Sequence, residues 1–318
     1  MIREKSMTGK RPVVVVGSIN IDLVTKAERI PVEGETIAGS DFQIHPGGKG
    51  ANQAVAVARL GYPVRMIGCL GNDAFGEQLR NYLEGAGVDV AGVATLPGPS
   101  GVAVILVADN GENCIVITPG ANAQLTSLDL EKNIEIIRSA GLVLTQLEIP
   151  LETVLHLATI CVREEVPLIL DPAPARELPP DLLRKVAWLT PNETEAEFFT
   201  GNTNGPNAKD PAATAQMLMT QGIQNVVLKL GGRGAYLASA KGLRQLLPSF
   251  SVKAVDTTAA GDAFNGAFAT ALLLNMGQVE STRFATAAAA VSVTRAGAQP
   301  SMPSMADVER MLNSSRKG

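Results

Sequence analysis

The residues with the clearest chemistry are one carboxylate, Asp262, and the three small residues before it, Ala259, Ala260 and Gly261. Apolar residues between 250 and 255 predict the end of a strand, and the spacing after Asp262 predicts a helix. The first amides of a helix lack partners and lie at the positive end of its dipole, so this turn predicts an anion site. A carboxylate there can take the proton of an attacking hydroxyl. The segment therefore predicts phosphoryl transfer to an alcohol, although an Asp at this position is also an ordinary first-turn residue.

A second glycine-rich segment, GGKGANQ at residues 47–53, precedes another helical pattern that ends at Gly61. Its glycines let a ligand approach the backbone closely. Lys49 donates hydrogen bonds and the Asn52 amide both donates and accepts, which suits the hydroxyls of a sugar or polyol. A tight loop with a solvated lysine is the alternative. The segment is not a Walker A loop, because it lacks the Gly-Lys-Ser/Thr ending.

The two segments together resemble the two signatures of the ribokinase-like (PfkB) carbohydrate kinase family, in the family's order and at about its separation. Further similar stretches extend the resemblance from about Val13 to Pro303, among them DPAPARELP at 171–179 and TPNETEAE at 190–197. The resemblance implies ATP-dependent phosphorylation of a sugar. D-Ribose, phosphorylated at O5, is the expected substrate, and deoxyribose, another pentose or a nucleoside is the alternative.

Two other classes of function are weaker. A dinucleotide-dependent dehydrogenase needs Gly-x-Gly-x-x-Gly after the first strand, and GSINID at 17–22 lacks it. A sugar-binding regulator without catalytic activity could share the fold, but the intact segment around Asp262 favours an active enzyme.

The resemblance also implies roles for individual residues. Asp262 is the expected base, and the amides of Ala259, Ala260 and Gly261 stabilise the transferring phosphoryl group. The positions that match the family's sugar site are Asn20, Asp22, Gly48, Lys49, Asn52, Glu148 and Asp262. The positions that match its site for ATP and Mg²⁺ are Asn192, Glu195, Lys229, Gly231, Gly232, Gly234, Gly261 and Thr286. The positions that match its site for an activating K⁺ are Asp256 and Thr258, with backbone groups of Ser292, Arg295 and Gly297 and the hydroxyl of Ser301.

Two of these assignments carry a qualification from the residues themselves. Asn192 and Glu195 have the spacing of a helix N-cap and its capping box, so a structural role is compatible with a role toward Mg²⁺ and phosphate. Lys229 stands where the family more often has a small hydroxyl residue, so a direct phosphate contact at this position does not follow from the resemblance.

The elements that must position these residues alternate along the chain. Short apolar runs alternate with helical patterns, which predicts a three-layer α/β/α fold with a mostly parallel sheet and ligands at the carboxyl ends of its strands. Two segments, about 20–46 and 91–118, alternate polar and apolar residues and predict a small antiparallel sheet. The resemblance makes that sheet a lid over the sugar and a contact in a homodimer. Residues 1–11 predict a disordered tail before a kinase domain at 12–313.

Composition narrows the partners and the location. The chain has 318 residues, 46% of them hydrophobic, which is enough for one large α/β core, and its formal net charge of -4 argues against a nucleic-acid surface. No apolar run reaches the ~18 residues of a membrane span, and the charged N-terminal segment lacks the apolar region of a signal peptide. Cys69, Cys114 and Cys161 lie in apolar stretches, which predicts buried free thiols and a cytoplasmic location.

Overall fold

The computed structural model describes residues 9–201 and 210–314, and within them the chain forms thirteen strands and eleven α-helices. The strands are β1 (Val13–Val16), β2 (Asn20–Ala27), β3 (Gly39–Gly47), β4 (Val64–Gly71), β5 (Asp89–Leu96), β6 (Gly101–Ala108), β7 (Asn113–Thr118), β8 (Leu142–Thr145), β9 (Leu168–Leu170), β10 (Trp188–Leu189), β11 (Asn225–Lys229), β12 (Ala235–Ser239) and β13 (Arg244–Leu247). The helices are α1 (Lys49–Arg59), α2 (Ala74–Gly85), α3 (Ser127–Lys132), α4 (Ile134–Ser139), α5 (Leu151–Arg163), α6 (Pro180–Lys185), α7 (Glu193–Thr200), α8 (Pro211–Thr220), α9 (Ala260–Leu273), α10 (Gln278–Ser292) and α11 (Met305–Ser314).

Nine strands form the central sheet, in the order β13-β12-β11-β10-β9-β8-β1-β4-β5. All pairs from β11 to β5 are parallel, whereas β12 and β13 pair antiparallel at one edge. The strand β1 is buried on both faces: Val13 and Val15 contribute to one core, and Val14 and Val16 to the other. Helices cover both faces, so the predicted three-layer α/β/α fold with a mostly parallel sheet is confirmed.

The helices α1 and α9 pack closely against each other on one face of the sheet. Gly266 permits this approach, because a Cβ at this position would lie 2.6 Å from the Cβ of Ala56 and 2.9 Å from the carbonyl oxygen of Gln53. The contact brings the first turns of the two helices together. Each of these turns carries one of the segments that predict chemistry.

A second sheet of four strands, in the order β3-β2-β6-β7, stands apart from the central sheet. The strand β2 pairs antiparallel with β3 and parallel with β6, and β6 forms an antiparallel hairpin with β7. The predicted small sheet is therefore present, and one of its three pairings is parallel. The predicted start of its second segment, at about residue 91, was wrong, because β5 pairs with β4 in the central sheet. The α2 crossover returns the chain to that sheet as a parallel neighbour.

Two other expectations are tested by the fold. The strand expected between residues 250 and 255 is absent from the described structure: β13 ends at Leu247, and irregular backbone leads from there to α9. All three cysteines are free, but Cys114 is exposed on β7, so the expectation that it is buried was wrong. Residues 1–8 of the predicted tail lie outside the described residues. Within the ranges 9–201 and 210–314, no helix is long and apolar enough to cross a membrane.

Candidate active site

The turn before α9 is strained and presents small residues to an open cavity. Ala259, the N-cap residue of α9, has φ 57°, in the left-handed region that non-glycine residues rarely adopt. Such strain persists where the surrounding structure requires it and is frequent at functional sites. The amide of Ala260 donates to the Thr257 carbonyl at 3.3 Å, so it is engaged within the turn. The first turn of α9 then places Asp262 beside α1.

Asp262 is buried, with 5% of its surface exposed, and both of its oxygens accept hydrogen bonds from α1. Nδ2 of Asn52 donates to Oδ2, and Nε2 of Gln53 donates to Oδ1, each at 2.9 Å. Burial raises the pKa of Asp262 to about 6, against the opposing charge of Lys49. The carboxylate is therefore ionised at neutral pH and more basic than an exposed aspartate, as a general base requires.

The hydrogen bonds around Asp262 extend to Lys229 and to three residues for which sequence analysis predicts no role: Gln53, Gln146 and Asp171. Nε2 of Gln53 also donates to Oδ2 of Asp171 at 2.9 Å, and Nζ of Lys229 lies 2.7 Å from Oδ1 of the same carboxylate. Nε2 of Gln146 donates to Oε1 of Gln53 at 2.5 Å. Asp171 follows β9 directly, at the carboxyl end of a parallel strand, and that position is the signal that could have identified it.

A second group of charged side chains lies beside the small sheet. Asp22 on β2 lies next to Gly47, where a Cβ would collide with its carboxylate. The pKa of Asp22 is raised to about 7. Burial is the main cause, and the negative charges of Glu148 and Asp262 add to it. Glu148 accepts hydrogen bonds from the Ser18 hydroxyl at 2.6 Å and from the Lys49 amide at 3.1 Å.

Lys49 is a cation whose charge acts on both Asp22 and Asp262. Burial alone would lower the pKa of Lys49, but the surrounding carboxylates, Asp262 foremost, raise it. The lysine therefore stays protonated and provides hydrogen-bond donors beside carboxylates that can only accept hydrogen bonds when ionised. Gly48, with φ 86°, precedes Lys49 as the N-cap of α1. The backbone of Gly48 lies close to the start of β2, since a Cβ on this glycine would lie 2.7 Å from the amide nitrogen of Asn20.

Two asparagines predicted for the sugar site differ in whether their side-chain oxygen is free to bind a ligand. Oδ1 of Asn20 accepts from Nδ2 of Asn122 at 2.7 Å, and Asn122 also binds the backbone of Ile19, so Asn20 is held within a buried network. Oδ1 of Asn52 is buried and has no hydrogen-bond partner among the described atoms. Because a buried acceptor without a donor is costly, this oxygen is suited to a ligand hydroxyl.

Asp262 also lines a cavity of about 640 Å³, a volume within the range typical of small-molecule sites. It brings together all the residues predicted for the nucleotide: Asn192, Glu195, Lys229, Gly231, Gly232, Gly234, Gly261 and Thr286. Lys49, Asp171 and Asp262 also line this cavity. Sequence analysis missed the irregular segment from Ser249 to Val252, which also lines this cavity. Its role as a nucleotide site stays a prediction.

Asn192 and Glu195 form the capping box at the start of α7. Oδ1 of Asn192 accepts from the Glu195 amide, and Oε2 of Glu195 accepts from the Asn192 amide, both at 2.8 Å. Burial raises the pKa of Glu195, although the charge of Lys229 opposes it. Within the described residues, no cluster of three or more His, Cys, Asp or Glu could hold a metal. These residues fit a Mg²⁺ ion bound mainly by substrate phosphates and water.

Asp256 joins the two segments predicted to hold K⁺. Its Oδ1 accepts from the Thr258 amide and its Oδ2 from the Gly297 amide, both at 2.8 Å. Burial favours the protonated form, but these hydrogen bonds outweigh it and lower the pKa of Asp256. An ionised carboxylate between backbone loops fits a hard monovalent cation.

Three other residues predicted for that cation have side-chain partners of their own. The Arg295 guanidinium pairs with Asp307 at 3.1 Å, and the hydroxyls of Ser292 and Ser301 donate to nearby carbonyls. Any contact of Arg295 with a cation would therefore be through its backbone.

Comparisons with known proteins find one family over most of the chain. The family described as pfkB family carbohydrate kinase matches residues 10–305. The chain is 40% identical over 304 residues to the ribokinase of Haemophilus influenzae, covering 95% of this chain and 99% of that protein. It is 38% identical to the deoxyribokinase of Salmonella typhi, covering 95% and 98%. The structure of Arabidopsis thaliana ribokinase complexed with ribose and ATP matches with a TM-score of 0.89 at 37% identity, covering 95% of this chain and 99% of that one.

Proposed function

Because the chain belongs to the pfkB family of carbohydrate kinases, we propose that it is an ATP-dependent ribokinase, which converts D-ribose to ribose 5-phosphate. The observation that carries the proposal is the placement of Asp262. This buried carboxylate lines the 640 Å³ cavity, its charge also acts on Asp22 beside the small sheet, and its raised pKa suits a base. A phosphoryl donor on one side and a hydroxyl on the other would meet at this residue.

The sugar lies on the side of Asp22, Asn52 and Glu148. Ionised Asp22 accepts hydrogen bonds from two hydroxyls, and the unpartnered Oδ1 of Asn52 accepts from a third. Lys49 donates to a sugar oxygen. These contacts orient the primary hydroxyl toward Asp262. The carboxylate takes the hydroxyl proton as the oxygen bonds to the γ-phosphorus of ATP, while the bond from that phosphorus to the β,γ-bridging oxygen breaks and ADP leaves.

The nucleotide occupies the large cavity, with its phosphates at the turn before α9. ATP supplies the phosphoryl group, and Mg²⁺ neutralises charge on its phosphates. The backbone amides of the turn, with Gly261 foremost, donate to the oxygens on which charge accumulates. The glycines at 231, 232 and 234 leave room for the nucleotide, and Thr286 lies on the wall that would contain the adenine.

Asp256 holds K⁺ together with backbone carbonyls of the neighbouring loops. The ion touches no substrate in this proposal. Asp256 already binds the backbone of Thr258 and Gly297, and a bound K⁺ would further hold the backbone from Asp256 to Gly261 and thereby the direction of the amides at the turn.

The small sheet serves as a lid and as the contact of a homodimer. By cross-strand register, four apolar side chains share one face of it and are between 43% and 61% exposed: Phe42, Ile44, Val104 and Val116. Asp22 lies on the opposite face. A continuous exposed apolar face of a sheet favours association, and a second copy of the same sheet would cover it.

Initial rates of ADP formation with D-ribose, 2-deoxy-D-ribose, other pentoses, hexoses and nucleosides test the proposal. We expect kcat/KM for ribose to exceed that for deoxyribose at least about tenfold, because a site that binds a hydroxyl discriminates against its absence. A preference for deoxyribose would make the protein a deoxyribokinase. No turnover with any acceptor, together with measurable ribose binding, would favour a non-catalytic sugar-binding protein.

A further inference from the structure

Lys229 occupies a position that its ion pair with Asp171 does not by itself explain. Its Nζ lies 2.7 Å from Oδ1 of Asp171, and a Cβ placed on Gly261 would lie 3.4 Å from the same Nζ. The ammonium group therefore lies between the Asp171 carboxylate and the turn before α9. Both residues line the 640 Å³ cavity, and the Lys229 side chain is 12% exposed.

Asp171 is bound to the base as well as to the lysine. Gln53 uses one nitrogen to donate to Asp171 and to Asp262, each at 2.9 Å. Its orientation is defined, because its oxygen accepts from Gln146 and only its nitrogen remains for the two carboxylates. A single buried amide thus connects the carboxylate that holds the cation to the carboxylate that takes the proton.

We propose that Lys229 is a catalytic residue that contacts the γ-phosphoryl group during transfer, and that Asp171 and Gln53 are positioning residues that hold this cation and Asp262 in one unit. The inference rests on the proposed kinase function and extends it. The resemblance to the family places Lys229 in the nucleotide site but does not supply a phosphate contact, because a small hydroxyl residue is more usual at this position.

The physical basis is charge placed before the reaction begins. A lysine has three donors, and the bond to Asp171 uses one, so two remain for phosphate oxygens. Phosphoryl transfer spreads negative charge over those oxygens, and a fixed cation stabilises this charge without reorganising at the moment of reaction. The carboxylate of Asp171 keeps the flexible lysine in place when no phosphate is bound.

Calorimetry in the presence of ribose and Mg²⁺, with ADP and with the non-hydrolysable ATP analogue AMP-PCP, tests the assignment without turnover. For Lys229→Met we expect AMP-PCP to bind about tenfold more weakly and ADP to bind about as in the wild type, because only AMP-PCP carries the γ-phosphonate group. We expect kcat to fall about 10²-fold with KM for ribose unchanged, as for the loss of one oxyanion donor. Lys229→Arg keeps the charge and should recover at least about a tenth of wild-type kcat.

Removal of Lys229 leaves the Asp171 charge buried and unpaired, so folding must be controlled. The double variant Lys229→Met with Asp171→Asn removes both charges, and we expect it to show the same selective loss of AMP-PCP affinity as Lys229→Met. Asp171→Asn alone should lower kcat, and its effect should be absent when Lys229 is already Met, because the two act as a unit. Lys132→Met, which removes a surface partner of Asp129, is the matched control and should change none of these quantities.

Two results would overturn the assignment. Equal loss of ADP and AMP-PCP affinity would place Lys229 on the phosphates that are not transferred. Unchanged affinities and kcat in the double variant would make Lys229 only the counter-ion of Asp171. The binding comparison requires no acceptor turnover, so it decides the role of Lys229 even if the sugar panel refutes the proposed function.

Discussion

Asp22 gives the sharpest test of the sugar site, because its pKa in the free protein is about 7. Burial is the main cause, the charges of Glu148 and Asp262 add to it, and Lys49 opposes it. Sugar hydroxyls donate to the ionised carboxylate, so ribose selects the ionised form and a bound proton is released. Ribose affinity should therefore weaken as the pH falls through about 7.

The size of the effect follows from the titration. With a pKa of about 7, Asp22 is roughly 90% ionised at about pH 8 and roughly 10% at about pH 6. The apparent Kd for ribose should then rise about tenfold over this interval, a loss of about 1.4 kcal/mol. An aspartate at its ordinary pKa of 3.8 would produce no change over the same range.

Calorimetric titration with ribose in the absence of nucleotide measures this change. Repeating it in buffers with different ionisation enthalpies counts the released proton, which should approach one per ribose at about pH 6. In Glu148→Gln the transition should move to lower pH, because one of the charges that raise the pKa of Asp22 is gone. A ribose Kd that is the same at both ends of the range would refute the reasoning.

Four further outcomes are expected. Asp262→Asn should lower kcat by at least ~10² while ribose binding stays measurable, and a variant that keeps more than about a tenth of wild-type kcat would remove Asp262 from the role of base. K⁺ should activate severalfold over Na⁺ at constant ionic strength, and Asp256→Asn should blunt this response; equal rates with and without K⁺ would contradict the cation site. Gly266→Ala should destabilise the protein by ~1–3 kcal/mol in thermal unfolding, because its Cβ would collide with α1, whereas an unchanged midpoint would show that the helices can separate freely. Val116→Glu should dissociate the dimer in sedimentation experiments, whereas the equally exposed Val162→Glu on α5 should not; a monomeric wild type would exclude the lid contact.

Several elements of the fold could be predicted because their signal is local. The four valines of β1 are apolar without alternation, which is typical of a strand covered on both faces, and both cores receive them. Other elements depended on distant partners. The residues of β5 alternate like those of an exposed sheet, but β4 is their neighbour, so they belong to the central sheet. Of the apolar residues predicted to end a strand between 250 and 255, Phe250 and Val252 line a cavity instead, and Val255 is exposed.

In the candidate site, too, some residues could be predicted from local patterns and others depended on distant partners. Asp262, Lys49 and Asn52 could be singled out because each lies in a short segment whose glycines and small residues mark a helix start. Gln53 and Asp171 could not be assigned a role in this way. Gln53 is separated by 118 residues from Asp171 and by 209 from Asp262, and no local pattern relates positions so far apart.

The sequence by itself determined the alternation of strands and helices, the two glycine-rich turns and the chemical types of the groups they carry, since these depend on residues within a few positions of one another. Only the tertiary structure decided which of these groups meet. The packing of α1 on α9 joins Asn52 and Gln53 to Asp262, and burial among other carboxylates raises the pKa values of Asp22 and Asp262. Desolvation and charge proximity are properties of the assembled site, because they depend on distances that exist only once the chain has folded.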